Sequence, residues 1–170
     1  MVEEATFWNF SLRFYADKPV SHACLELQDR FGIDVNILLF LLWHASCGRR
    51  LTARDLQSVT EASSSWQTEV VRPLRAVRRY LKSFTTPNHS AEINALRQAV
   101  KKHELEAERM QQQFMESEFP QLGEVAKDYM TAARENLNLY MTQSHAIFAS
   151  ASVETLLDRL AAMQSARRNP

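Results

Sequence analysis

The stretch Phe7–Cys47, FWNFSLRFYADKPVSHACLELQDRFGIDVNILLFLLWHASC, decides the fold. It packs aromatic and aliphatic residues into three helix-sized segments with sharp breaks between them. In the first, from about Glu3 to Ala16, Phe7, Phe10 and Phe14 share one stripe, and Trp8, Leu12 and Tyr15 lie beside it. Pro19 suits the first position of a second helix, where no backbone N–H is needed. Val20, Ala23, Cys24, Leu27 and Phe31 form the apolar face of that helix, with His22, Glu26 and Asp29 opposite. Gly32 fits the residue just past it, where a left-handed backbone costs glycine little. Asp34 can cap a third helix by accepting its free amides. From Val35 to Trp43 this helix is apolar nearly all round, the mark of a central, fully covered element. Gly48 ends it, and the short Gly32–Asp34 connection predicts that the second and third helices are antiparallel neighbours.

Working outward, Thr52 and Asp55 form a weak capping box for a fourth helix. Ser63, Ser64 and Ser65 interrupt the pattern, and Ser64 with Gln67 offers a second box. The helix after it runs to about Phe84 and holds Pro73, which predicts a kink or local break. Thr85–His89 is the clearest linker. From Ser90 to Phe119, Ile93, Leu96, Val100, His103, Ala107, Met110 and Phe114 hold a heptad register. Pro120 stops it. A further helix is expected over about Gln121–Ala149, completing a hairpin, and Ser152 is expected to cap a last one carrying Val153, Leu156, Leu157, Leu160 and Met163. The expected division is 1–84 as an N-terminal helical core, 90–165 as a helical hairpin plus terminal helix packed on it, and 166–170 as a frayed tail.

Composition agrees with this class. The 170 residues include only 3 glycines and 5 prolines, too few for the turns of a β-rich fold. Twenty basic and twenty acidic side chains cancel, so no global field draws nucleic acid or a membrane surface. Two cysteines make no disulfide framework. The acidic start MVEEATFWNF lacks the basic region of a signal peptide. The longest apolar run, Ile37–Trp43, is far short of the roughly 20 residues of a membrane span. These features predict a cytoplasmic protein without membrane or nucleic-acid partners.

Three clusters are candidate sites. His22, Cys24, His44 and Cys47 include zinc-ligand types. However, His22 and Cys24 are two apart and face different ways, and buried cysteine commonly behaves as a small hydrophobe. No metal or cofactor is therefore expected. Arg72, Arg75, Arg78, Arg79 and Lys82 make a basic amphipathic stripe suited to an acidic partner, with Arg49, Arg50 and Arg54 as an extension. The competing expectation is internal neutralisation by Glu104, Glu106, Glu108, Glu116 and Glu118. No aromatic interleaves the arginines, which counts against single-stranded nucleic acid. The heptad segment would dock a partner helix or form a homodimer, unless it packs into a hairpin instead. The polar group Gln28, Asp29, Asp34 and Asn36 around Gly32 reads as capping and turn satisfaction. Nucleotide loops, H-E-x-x-H and G-x-S-x-G are absent from the sequence.

Phe7-Trp8, Ser11-Leu12, Tyr15, Val20, Ala23-Cys24-Leu25, Leu27-Gln28-Asp29, Gly32, Asp34-Val35-Asn36 and Leu38–Trp43 together resemble the signature of a proteobacterial family of small helical proteins known only as a domain of unknown function. The likeness covers the first half well and the second loosely. It implies a bacterial cytoplasmic protein with an all-helical fold, and it transfers no activity and no catalytic residue.

The sequence thus predicts an all-α bundle of six to seven helices with a long C-terminal helical hairpin. The leading expectation is a non-enzymatic protein-interaction module that uses the basic helix, the heptad helix or both. The alternative is a small-molecule binder or enzyme with a pocket near Trp8, Tyr15, Trp43 and His44.

Overall fold

The structure is a computed structural model and describes residues 6–84, 86, 88–146 and 150–168. Its first three helices are α1 (Phe7–Tyr15), α2 (Lys18–Phe31) and α3 (Val35–Ser46). Thr6 caps α1 by accepting the Asn9 amide, and Asp17 caps α2 by accepting that of Val20. Pro19 lies in the first turn of α2. Gly32 closes α2 at φ +67°, and its amide reaches back to the Gln28 carbonyl at 3.0 Å. Residues 1–5 of the expected first helix lie outside the described residues.

α3 is the centre. Leu38, Phe40, Leu41 and Leu42 have no exposed surface. The helix is covered by α1 on one side and, chiefly, by α7 (Tyr129–Gln143), with α6 (Ser90–Glu118) and α8 (Ser150–Arg168) completing the sheath. α2 packs mainly on α8 and only lightly on α3. One hydrophobic cluster runs from Phe7 through α3 to Leu160, so both ends of the chain supply the same core.

α4 (Ala53–Trp66), a π turn (Gln67–Val71) and α5 (Arg72–Ser83) form one continuous rod. The expected capping box at Thr52 and Asp55 is present, with both hydrogen bonds made. The expected break at Ser63–Ser65 is not. The helix runs on because Trp66 is anchored: its Nε1 donates to the Ala107 carbonyl at 2.9 Å and its ring meets Phe114 edge-on. Pro73 acts one turn earlier than its own position. Lacking an N–H, it breaks the ordinary ladder, and the preceding turn widens so that the Arg72 amide donates to the Gln67 carbonyl five residues back.

The hairpin differs from the expected one in its partner. α6 lies along α5, across residues 84–89, rather than along α7. Pro120 ends α6 as expected, but residues 121–128 are not helical. Gly123, at φ +80°, lies so close to Arg50 that a Cβ would sit 2.3 Å from its carbonyl oxygen. This approach sets up a two-stranded antiparallel ribbon, β1 (Arg49–Arg50) with β2 (Glu124–Val125). Asp128 then caps α7 by accepting the Thr131 amide at 2.9 Å. The buried Asn136 of α7 ties the ribbon to the core. Its Nδ2 donates to the Leu41 and Arg49 carbonyls, and its Oδ1 accepts from the Leu51 amide. α8 begins at Ser150, so Ser152 is not its cap; the Ser152 hydroxyl donates instead to Glu26 at 2.7 Å.

Candidate binding site

α1, α2, the start of α3, α5 and the middle of α6 enclose a cleft of about 600 Å³. Each helix gives it one stripe at helical spacing. α1 supplies Trp8, Ser11, Leu12 and Tyr15, next to the phenylalanine stripe that enters the core. α2 supplies Ser21, Leu25 and Gln28, and α3 supplies Val35, Asn36 and Leu39 after its cap Asp34. α5 contributes Arg75 and Arg78. α6 contributes Lys101, Glu104, Leu105, Glu108 and Gln112. One wall is therefore apolar and aromatic, and the facing one is charged. That mixture, at this volume, is the composition of small-ligand sites.

The charged wall is an interlocked ion cluster. Arg75 Nε donates to Glu104 Oε1 at 3.1 Å, and its Nη2 donates to Glu108 Oε1 at 2.7 Å. Arg78 binds both oxygens of Glu104. Burial opposes ionisation of Glu104, yet the hydrogen bonds from Arg78 and Arg75 hold its carboxyl below the ordinary value. Glu108 goes the other way. Burial raises it, Arg75 only partly offsets that, and the neighbouring Glu104 charge raises it further.

Behind this wall lies a buried amide network. Asp34 Oδ1 accepts from the Asn36 amide at 2.8 Å, and Oδ2 accepts from Gln111 Nε2 at 2.9 Å. Gln111 Oε1 accepts from Asn36 Nδ2, and Asn36 Oδ1 accepts from Gln112 Nε2. The Tyr140 hydroxyl accepts from the Asp34 amide at 3.1 Å. Burial raises the Asp34 carboxyl above its ordinary value, against the hydrogen bonds from Gln111, Asn36 and Ile37. Burial also pushes the Tyr15 hydroxyl up to about 12. Two cleft-lining groups remain unsatisfied: Ser11 Oγ and Gln112 Oε1, on residues only 3% and 2% exposed, have no hydrogen-bond partner.

The expected site residues are divided by the fold. Arg75 and Arg78 enter the cleft wall and are neutralised by Glu104 and Glu108. Arg79 pairs with Asp29 at 2.5 Å, while Arg72 and Lys82 are exposed. Of the other acids of α6, Glu106 pairs with Arg109 and Glu116 accepts the Phe7 amide. In the aromatic set, Trp8 and Tyr15 line the cleft, whereas Trp43 and His44 do not. Trp43 stacks on Phe7 at 5.4 Å. His44 is buried against Phe40, accepts the Leu122 amide at Nε2, and is lowered to about 4, chiefly by burial. Of the zinc-type set, Cys24 is buried in the core and Cys47 is exposed. Among the described residues no His, Cys, Asp and Glu group is arranged to hold a metal ion.

Sequence reasoning did not name Ser11, Gln111 or Gln112 for a site, and it named Glu104 and Glu108 only as acids that would neutralise the arginines. It saw Asp34 and Asn36 only as turn residues. The available signal was polar residues recurring at helical spacing on α6, Glu104, Glu108 and Gln111, in step with the arginines of α5.

Among the described residues no helix is long and apolar enough to cross a membrane. No curated protein and no solved structure matches the chain. A family model described as "Protein of unknown function (DUF2390)" matches residues 6–115, a span that takes in every cleft-lining residue from Trp8 to Gln112. With well over half of its length matched, the chain belongs to that family.

Proposed function

We propose that this protein is a binding module whose working surface is the cleft between α1, α2 and the α5–α6 hairpin, and that it takes a small organic ligand there. The observation that carries this reading is an opening of about 600 Å³ between an apolar aromatic wall and a charged one, within the range of ligand sites. Leu12 and Leu25 line it while 48% and 45% exposed, so an apolar ligand would remove them from water. The test is an NMR screen of small organic fragments on isotopically labelled protein. The chain has three tryptophans, and of these only Trp8 lines the cleft. Binding moves the Trp8 indole N–H and leaves Trp43 and Trp66 unmoved, and the cleft-filling variant Leu12→Trp abolishes the response. If no fragment moves Trp8, or if Leu12→Trp changes nothing, the reading fails.

A second reading rests on the outer face of α5. There Val77, Tyr80 and Phe84 fall within about one third of the helix circumference and are 48%, 62% and 45% exposed. An exposed apolar strip of this kind suits the apolar face of an amphipathic helix. The proposed partner is therefore a protein, and the test is loss of its capture when Tyr80 and Phe84 are replaced by Ser.

A further inference from the structure

Resting on the cleft reading, we infer that the ligand is a cation with an apolar tail: a primary ammonium or guanidinium head carried on a short hydrocarbon chain. The first ground is the pair of groups left without partners. Gln112 Oε1 is an acceptor only, and its own Nε2 is already committed to Asn36. Ser11 Oγ can accept as well as donate. Both residues are more than nine-tenths buried and both line the cleft. Buried polar groups are ordinarily hydrogen-bonded, so two orphans on one lining mark a place where a donor is missing.

The second ground is charge. The inner part of the site holds three carboxylates, Asp34, Glu104 and Glu108, against two guanidiniums, Arg75 and Arg78. Those guanidiniums are already spent on Glu104 and Glu108, and Asp34 is held only by neutral amides. Lys101, the third cation of the lining, is solvent-exposed. With the exposed Lys101 set aside and all three acids ionised, the lining that carries the two orphans is one positive charge short. The raised carboxyls of Asp34 and Glu108 have burial as their main cause and agree with that shortage. An arriving ammonium would supply both the missing donor and the missing charge. The third ground is the opposite wall. Trp8 and Tyr15 are aromatic rings of the kind that attract cations, and Leu12, Leu25 and Leu39 suit a hydrocarbon chain.

The experiment compares three probes that share a six-carbon tail: hexylammonium, hexan-1-ol and hexanoate. Binding to the full chain is followed by the Trp8 indole N–H. The expected order has hexylammonium tightest by about tenfold or more, as for a hydrogen bond to a charged group, with hexanoate weakest. Ser11→Ala weakens hexylammonium a few-fold and leaves folding intact, because Ser11 Oγ has no partner to lose. Glu108→Gln weakens it by about tenfold and leaves hexan-1-ol unchanged. If hexanoate or hexan-1-ol binds as tightly as hexylammonium, or if both variants bind hexylammonium like the parent, the cationic ligand is overturned and the cleft stands. If hexylammonium leaves Trp8 unmoved while other fragments move it, the same inference falls alone. If nothing moves Trp8, the cleft reading falls with it.

Discussion

α3 and α5 are both 12 residues long, yet they are held by opposite means. α3 buries nine of its residues, whereas α5 buries none. α3 owes its place to apolar burial on all sides. α5 is the most amphipathic segment of the chain. It is fastened by a few half-buried apolar side chains and by Arg75 and Arg78 reaching Glu104 and Glu108 on α6. Burial is non-directional and tolerates little loss of volume. Ion clusters are directional, and their worth depends on every member being present. The same protein therefore has a scaffold that specifies the fold and an arm that shapes the cleft.

The largest effect expected from this contrast is on α3. Phe40→Ala removes a ring with no exposed surface that meets Phe7 edge-on at 5.4 Å. It should cost about 4 kcal/mol in urea unfolding, and a loss below about 1 kcal/mol would contradict the central position of α3. The next effect is acid. His44 sits on α3 with its pKa lowered from 6.5 to about 4, so the folded state favours the neutral ring. Its contribution is fully present above pH 6.5 and is lost as pH falls toward 4, a loss of about 3 kcal/mol. Asp34 runs the other way. Its raised carboxyl contributes below its ordinary value of 3.8 and loses that contribution as pH rises, so it softens the acid loss at the low end. A His44→Gln variant should lack the pH 4–6.5 slope, and an unchanged slope would place the acid lability elsewhere.

On α5, Arg75→Met leaves Glu108 without its guanidinium and Glu104 with one instead of two. The expected loss is about 2 kcal/mol, less than for a fully buried pair because the cluster is partly wet. Hydrogen exchange should then speed up in α5 and the first half of α6 while α3 stays protected. Equal acceleration in α3 would remove the distinction between scaffold and arm. The smallest effect is Val77→Ala on the outer face of α5, where the side chain is 48% exposed. Stability should change by no more than about 0.5 kcal/mol. A larger change by thermal melting would mean that this face is covered in solution.

The same contrast explains what could be read from the residues. α3 was legible because an unbroken apolar run between Asp34 and Gly48 has one physical solution, a covered helix. The caps at Thr52 and Asp34 were legible because capping is local chemistry. The seam of α6 was not. A reading by heptad spacing selects Leu96, His103, Met110 and Phe114, of which only Met110 is half-buried, whereas the buried or half-buried positions also include Arg97, Glu104, Gln111 and Met115. The two sets share Ile93, Val100 and Ala107 and differ by one step between them. That step puts polar groups inward, and only the distant partners Arg75, Arg78, Asp34 and Asn36 make it favourable. The ribbon was hidden because two-residue strands carry no period. Trp8 and Tyr15 line the cleft because they flank the core stripe of α1. Trp43 and His44 lie away from the cleft, and an all-apolar helix does not reveal in sequence which side meets a cavity.

Asn136 has a consequence for synthesis. The chain atoms it joins lie 85 to 95 residues before it. A ribosome releasing this polypeptide from its N-terminus therefore exposes the greasiest helix long before the segment that roofs it has been made. Until then the nascent bundle has an open flank, where exposed apolar surface favours aggregation. The family-matched span 6–115, expressed alone, would keep the whole lining of the cleft and lose that roof.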